Sequence, residues 1–328
     1  MNTLAKPLPC EKYWAMSDKS LLRLLQAPAI ILLLLWMLIP LGMTLYFSFI
    51  RYVLNSLRRP EWTTPSLSNW RGFGNYEYVM YKSKDFWFAV QNSVFIVGCI
   101  LILTVVLGLA IAMLINRQFP GRGVVRVLLI SPFFVMPAVN AVLWINMILD
   151  PVLGLNGLAV ESFNQTIKSL HDFPVLGTFF SMWPEFKPVS FRSTQTSAYA
   201  VVIMVAWQWT PFAVLIFMTS LQSEDQQQKE AAILDGANKW SQFRNLTLPH
   251  LARPIAIVIM IQSIFHLSLY AEIEIVSRGN GNKNLPYLIG EFTSNNIGAA
   301  SATGIFAVIL ANIVAIFLLR MVGKSLMD

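Results

Sequence analysis

Apolar residues along this 328-residue chain gather into six long blocks, roughly residues 27–50, 89–115, 124–149, 198–221, 254–276 and 302–322, separated by polar stretches. Each block reaches about 20 residues or more, the length at which a helix rising 1.5 Å per residue crosses a hydrocarbon layer about 30 Å thick. None shows the period-two alternation over about ten residues that marks a membrane-spanning barrel strand, and lipid admits only helices or closed barrels. The pattern predicts an all-α membrane protein with six transmembrane helices. A polar N-terminal segment, residues 1–26, precedes a six-helix domain over 27–328, whose longer polar connections fall at 51–88, 150–197, 222–253 and 277–301.

The polar stretches set the orientation. Lys6, Lys12, Lys19, Arg23, Arg117, Arg122, Arg126, Lys229, Lys239, Arg244, Arg253, Arg320 and Lys324 sit on one set of shorter segments. The remaining basic residues are spread over longer loops. The positive-inside bias therefore predicts cytoplasmic N- and C-termini, outer loops at 51–88, 150–197 and 277–301, and an inner loop at 222–253. The first block, from Ala27 to Ile50, is too long for a signal segment and carries no small-x-small cleavage site. Ser17 is placed to cap a short amphipathic stretch carrying Leu21, Leu22, Leu24 and Leu25 into that block. Pro120 and Gly121 predict a tight inner hairpin between the second and third spans. Aromatics of the first outer loop, among them Trp62, Trp70, Tyr76 and Trp87, suit an interfacial belt or loop packing. The prolines of the 150–197 loop predict a segment folded against the membrane surface.

Composition agrees with this topology. Apolar residues make up 55% of the chain and charged residues 12%. The net charge of +7 flanks the spans and forms no basic stripe interleaved with aromatics, so a nucleic-acid partner is not expected. Cys10 is expected on the inner side and Cys99 inside the second span, so they do not pair. The sequons at Asn164 and Asn245 read as chance matches. The histidines, His171, His250 and His266, are dispersed, and no metal site is expected. No phosphate-binding G-x-x-x-x-G-K-[ST] loop is present, so any ATP and magnesium must be bound by another subunit.

Polar residues inside spans are costly and usually face a bundle interior or a pathway. Here they are Asn140 and Asn146 in the third block, Gln208 in the fourth, Gln262 and His266 in the fifth and Asn312 in the sixth. Helical spacing predicts that Asn140 and Trp144 share one stripe and that Gln262, His266 and Tyr270 share another. An amide beside an aromatic suits a sugar, while interhelical hydrogen bonds explain an isolated amide equally well. Glu272 and Glu274, near the outer end of the fifth block, are expected at a water-accessible interface, or at a gate or substrate contact.

The 222–253 loop differs from the other connections. Glu230 to Asp235 is strong helix-forming sequence, Gly236 tolerates positive φ, and Asn238 or Ser241 can cap a second short helix. Pro249 is expected to stop that second helix, and Pro254 to open the next span. Glu230, Ala231, Ala232, Asp235, Gly236, Ala237, Phe243, Leu246, Leu248 and Pro249, in this order and spacing, resemble the EAA loop of ABC importer permeases, with leucine at 246 where isoleucine is commoner. Val125–Pro137, Ala206–Phe212 and Ala311–Phe317 resemble carbohydrate-type permeases, particularly those for sorbitol and mannitol.

The resemblance implies a type I importer permease in the bacterial inner membrane, with no catalysis of its own. Its loop would sit in a cleft of an ATP-binding subunit dimer, beside a second permease and a periplasmic solute-binding protein. It places substrate positions in the fourth and fifth spans near Gln208, Trp209, Phe212 and His266. The implied solute is a polyol or sugar, with an oligosaccharide or a phosphorylated sugar as alternatives. A secondary transporter would need an intramembrane carboxylate or ion site, and a membrane enzyme clustered ligands. Neither explains the loop. Two features depart from the family pattern: the long outer loop around 165–195, and Arg278-Gly279-Asn280-Gly281 after the fifth span.

Overall fold

A computed structural model describes residues 18–54, 59–171 and 184–327. Lys6, Cys10, Lys12, Ser17 and Pro174 lie outside them, as do the side chains of Lys19, Leu21, Leu22, Leu24 and Lys324. The described chain is helical, with two isolated β-bridges, Ile50 to Trp70 and Val53 to Asn296.

The helices used below are α1 (Asp18–Phe49), α2 (Asp85–Asn116), α3 (Arg122–Ile130), α4 (Pro137–Leu143), α5 (Leu155–His171), α6 (Ser197–Gln222), α7 (Gln226–Leu234), α8 (Lys239–Gln242), α9 (Leu248–His266), α10 (Ala271–Ser277), α11 (Leu285–Thr293) and α12 (Ile297–Met327). Among the described residues, five stretches are long and apolar enough to cross a membrane unbroken: Leu25–Phe49, Asp85–Asn116, Ser197–Gln222, Lys239–His266 and Ile297–Phe317.

The third predicted span, 124–149, is instead two pieces, Arg122–Phe134 and Pro137–Ile148, bent by 102°. Two prolines account for the break. Pro132 opens a 3₁₀ turn, Ser131–Phe134, and Pro137 opens α4 while forcing Met136 into extended backbone at φ −61°, ψ 139°. Both pieces are apolar, so hydropathy alone reads them as one block.

The fifth predicted span also differs from expectation. Pro249 does not stop a helix; α8 runs through a π-helical turn, Phe243–Thr247, into α9, where Pro249 occupies the first turn and needs no N–H partner. Pro254 lies inside α9, not at its start. At the other end α9 stops at His266, and α10 is a separate short helix. The break is held from a distance, because Asn284 Nδ2 donates to the Leu269 carbonyl at 2.7 Å.

α2 and α6 form the centre of the bundle. A Cβ on Gly108 would meet Ala213 Cβ at 2.7 Å, so this glycine sets how closely the two helices approach. Ile96, Ile100, Val201, Met204, Val205 and Ile273 fill the core around one half of α6. Ala112, Ile115, Val214, Phe217, Leu251 and Val258 fill it around the other half. α1 packs along α12, and its apolar span is unburied within this chain.

The aromatics of the first outer segment pack chiefly against rings of the helices α1, α11 and α12. Phe49 stacks on Trp70 at 5.5 Å, and Tyr76 meets Phe306 edge-on at 5.7 Å. Asn75 Nδ2, fully buried, donates to the carbonyls of Ser48 and Ile50. The 150–197 loop contains α5, a helix that its sequence pattern does not predict. Asn164, from the first sequon, closes that loop by donating to and accepting from the Phe186 backbone at 2.8 and 3.1 Å. Cys99 is a free, half-buried thiol.

Candidate functional site

The 222–253 loop forms α7, a left-handed turn and α8. Asp225 caps α7 by accepting from the Gln227 N–H at 2.8 Å, and Asn238 caps α8 by accepting from Ser241 at 2.8 Å. Gly236 lies between them at φ +81°, the conformation that a side chain disfavours, with open space where a Cβ would stand. The Ala237 amide bonds back to the Ala232 carbonyl at 2.9 Å, closing the end of α7.

Of the motif residues in this loop, Glu230, Ala231, Asp235 and Gly236 are exposed, Ala232 and Ala237 half-buried. Phe243 and Leu246 are half-buried in the π-helical turn, and Leu248 and Pro249 are exposed at the start of α9. Three apolar neighbours outside the motif stand out into open space: Ile233 at 59%, Leu234 at 88% and Trp240 at 68% exposure. Helix propensity explains Ile233 and Leu234 without revealing that most of each residue's surface is left exposed. Clustered exposed apolar side chains of this kind are a common mark of protein-contact surfaces.

Of the polar residues of the spans, Asn140 and Gln208 form one buried knot and Gln262 another, whereas Asn146 accepts from Arg192 at 2.6 Å at the surface and the exposed Asn312 donates to the Val308 carbonyl of its own helix at 2.8 Å. Asn140 Nδ2 donates to Gln208 Oε1 at 3.0 Å and to the Met204 carbonyl at 3.2 Å, while Gln208 Nε2 donates to the carbonyl of Val135. Gln208 therefore satisfies a backbone oxygen exposed by the break between α3 and α4. Gln262 Oε1 accepts from Thr104 Oγ1 at 2.6 Å, and its nitrogen donates to the Trp209 carbonyl at 3.3 Å. Asn140, Gln208, Gln262 and His266 are all buried. Among the described residues, the buried side-chain atoms without a hydrogen-bond partner include Asn140 Oδ1, Trp144 Nε1 and His266 Nε2.

The structure gathers aromatics beside the second knot. Trp209 meets the His266 ring edge-on at 4.9 Å, Phe265 at 5.1 Å and Phe133 at 5.4 Å, and Phe133 stacks on Phe212 at 5.9 Å. Phe133, which arrives from the broken third span, and the exposed Phe265 carry no signal in the sequence that sets them apart. The break that delivers Phe133 is the feature hydropathy conceals. Asn140 and Trp144 stay one turn apart on the helical piece Pro137–Ile148, where Trp144 meets Trp207 at 5.7 Å and lines an apolar crevice of about 360 Å³ with Leu103, Leu107 and Ile203. The second predicted stripe does not survive whole. Tyr270 lies beyond the end of α9, stacked on Tyr287 at 5.9 Å.

Glu272, expected at a water-accessible interface or at a gate, is buried in α10, and Glu274 is half-buried. The turn after α10 carries Arg278, Gly279 and Gly281, all at positive φ. Its Lys283 bridges Asp85 at 2.8 Å and Glu291 at 2.7 Å. Burial disfavours the Lys283 ammonium, but the hydrogen bonds and charges of Asp85 and Glu291 outweigh it, so its pKa stands above the usual lysine value. Among the described residues, no group of three or more His, Cys, Asp or Glu side chains is placed to hold a metal.

With the broken span, the capped loop and the buried knots in view, comparison with known proteins is decisive. Residues 105–328 match the family of binding-protein-dependent transport system inner membrane components. The chain belongs to this family. It is 28% identical over 301 residues to the inner membrane ABC transporter permease protein YcjO of Escherichia coli, covering 90% of this chain and 93% of that protein. It is 26% identical over 273 residues to the trehalose/maltose transport system permease protein MalF of Thermococcus litoralis, covering 83% and 82%. Its fold matches a chain of a bacterial ABC transporter involved in alginate import, with a TM-score of 0.67 at 20% identity, over 93% of this chain and 95% of that one. The protein is a multi-pass ABC permease subunit of the inner membrane with the type I importer fold.

Proposed function

We propose that this permease imports an uncharged carbohydrate, driven by ATP hydrolysis in a separate subunit pair that grips the 222–253 loop from the cytoplasm. The observation that carries the coupling half of this reading is the exposure of Ile233, Leu234 and Trp240 around the Gly236 turn. A second permease chain and a periplasmic solute-binding protein complete the assembly. The related alginate transporter has been seen in complex with a pentasaccharide-bound periplasmic protein, which supports the last partner. Closure of the ATP-binding pair would shift the equilibrium between inward- and outward-facing states.

The carbohydrate half rests on Trp209, Phe212, Phe133 and Phe265 grouped beside His266 and two buried amide knots. Flat aromatic rings suit the C–H faces of a sugar, and His266 Nε2 and Asn140 Oδ1 have hydrogen-bonding capacity to offer once the knots open. Among the described residues, the ring contacts of this cluster involve no lysine or arginine, which favours a neutral solute. Resemblance along the spans favours a hexitol such as sorbitol or mannitol. A disaccharide is the second reading, favoured by the trehalose/maltose permease among the relatives.

Two experiments test these halves. In the assembled transporter, Gly236→Pro and Glu230→Arg are expected to abolish coupled uptake and weaken association with the ATP-binding subunit; normal uptake in both would refute the coupling role. For the solute, binding and competition on the cognate solute-binding protein should show preference for hexitols. Binding confined to disaccharides would replace the polyol with the second reading, and binding of neither would overturn the carbohydrate assignment.

A further inference from the structure

The segment joining α6 to α7 is only Ser223, Glu224 and Asp225. Such a joint would swivel unless braced, and any push on α7 would then be lost before reaching the spans. Glu224 is the brace. Its residue is only 8% exposed, an unusual place for a carboxylate in a connection. Oε1 accepts from Thr247 Oγ1 at 2.8 Å, and Oε2 lies 2.9 Å from Lys229 Nζ, an ion pair without hydrogen-bond alignment.

These two partners belong to different elements. Thr247 closes the π-helical turn just before α9, at the far end of the loop. Lys229 lies on α7, immediately before Glu230, Ala231 and Ala232. One buried carboxylate thus ties together the end of the fourth span, the first helix of the loop and the start of the fifth span. His250 adds a second tie between the same spans, its Nε2 standing 2.9 Å from the Ser220 carbonyl.

We propose that Glu224 is a positioning residue that makes the 222–253 loop rigid with both flanking spans, so that displacement of α7 becomes displacement of α6 and α9 together. A buried, charge-assisted contact is suited to this, because breaking it leaves a carboxylate stranded away from water. The inference rests on the loop being the contact for the ATP-binding subunit, and it assigns Glu224, Thr247 and Lys229 a role separate from that contact: they transmit, and the exposed face binds.

The test uses the complete transporter in proteoliposomes, reading solute transported per ATP hydrolysed. Glu224→Ala and Lys229→Met are expected to keep association with the ATP-binding subunit and its ATPase activity, while the transport ratio falls, roughly tenfold for Glu224→Ala. Exchanging the pair, Glu224→Lys with Lys229→Glu, should recover part of the ratio. If Glu224→Ala fails to accumulate, Lys229→Met, whose site is more exposed, carries the decision. A ratio unchanged from wild type, including a proportional fall in transport and ATPase activity, overturns the proposal. Gly236→Pro separates the two levels: if it leaves association intact, the coupling reading itself has failed; if it abolishes association while the Glu224 and Lys229 ratios hold, only the brace has failed.

Discussion

Glycines with similar backbone angles carry different burdens in this protein. Gly236 and Gly281 stand at φ +81° and +80°, yet a Cβ at 236 meets nothing within 4 Å, whereas one at 281 would come within 2.0 Å of the Thr194 carbonyl oxygen. Gly236→Ala should therefore cost only the left-handed penalty of about 1 kcal/mol. Gly281→Ala must also displace backbone and should cost about 3 kcal/mol or more. Thermal midpoints of the detergent-solubilised protein distinguish the two; equal shifts would show that Gly281 does not pack on the Thr194 backbone. The sequence shows both glycines equally well. What separates them is the neighbour, which lies far back along the chain for Gly281 and is absent for Gly236.

Lys283 follows the same logic with charge. It is largely buried between two half-exposed carboxylates, so Lys283→Met should cost about 1 kcal/mol and the loss should shrink in high salt. Because its folded pKa is raised, this contribution is fully present below the unfolded lysine pKa and is lost only as pH rises through the raised value. Thermal midpoints measured across the neutral range should therefore show a constant difference between wild type and variant.

At the scale of elements, the break between α3 and α4 depends on one side chain from α6. Gln208 caps the Val135 carbonyl and accepts from Asn140. Gln208→Leu strands both groups and should destabilise by about 2–4 kcal/mol, while adding Asn140→Leu should cost less than the two single changes summed. Additive losses would mean the two amides do not form one knot. Hydropathy makes the six apolar blocks legible because burial in lipid is written in composition. It cannot show this break, since Pro132 and Pro137 sit in a run from Leu128 to Leu143 whose other residues, Ser131 and Asn140 apart, are apolar. Nor can it show the end of α9, where no glycine or proline intervenes and the free Leu269 carbonyl is met by Asn284 from downstream. Helical spacing groups Tyr270 with His266 wrongly for that reason.

At the scale of the molecule, two regions of opposite character are joined by α6 and α9. One is a set of buried amides beside half-buried and exposed aromatics; the other is a loop with exposed apolar residues and one buried carboxylate. The loop's motif is legible in the sequence because its glycine turn and caps are local features. Glu224 is not, because a charge in a connection reads as solvated until Thr247 is seen beside it. The unburied apolar length of α1 is a membrane-facing surface by the same hydropathy that predicts it.

Those two exposed apolar surfaces allow the central claim to be tested by position. A photoreactive residue placed at Leu234, and another at Trp36 in α1, are irradiated in native membranes and the adducts identified by mass. The account predicts that Leu234 captures the ATP-binding subunit and Trp36 does not. Adducts to lipid alone at Leu234, or labelling of that position from the outer face, would contradict it.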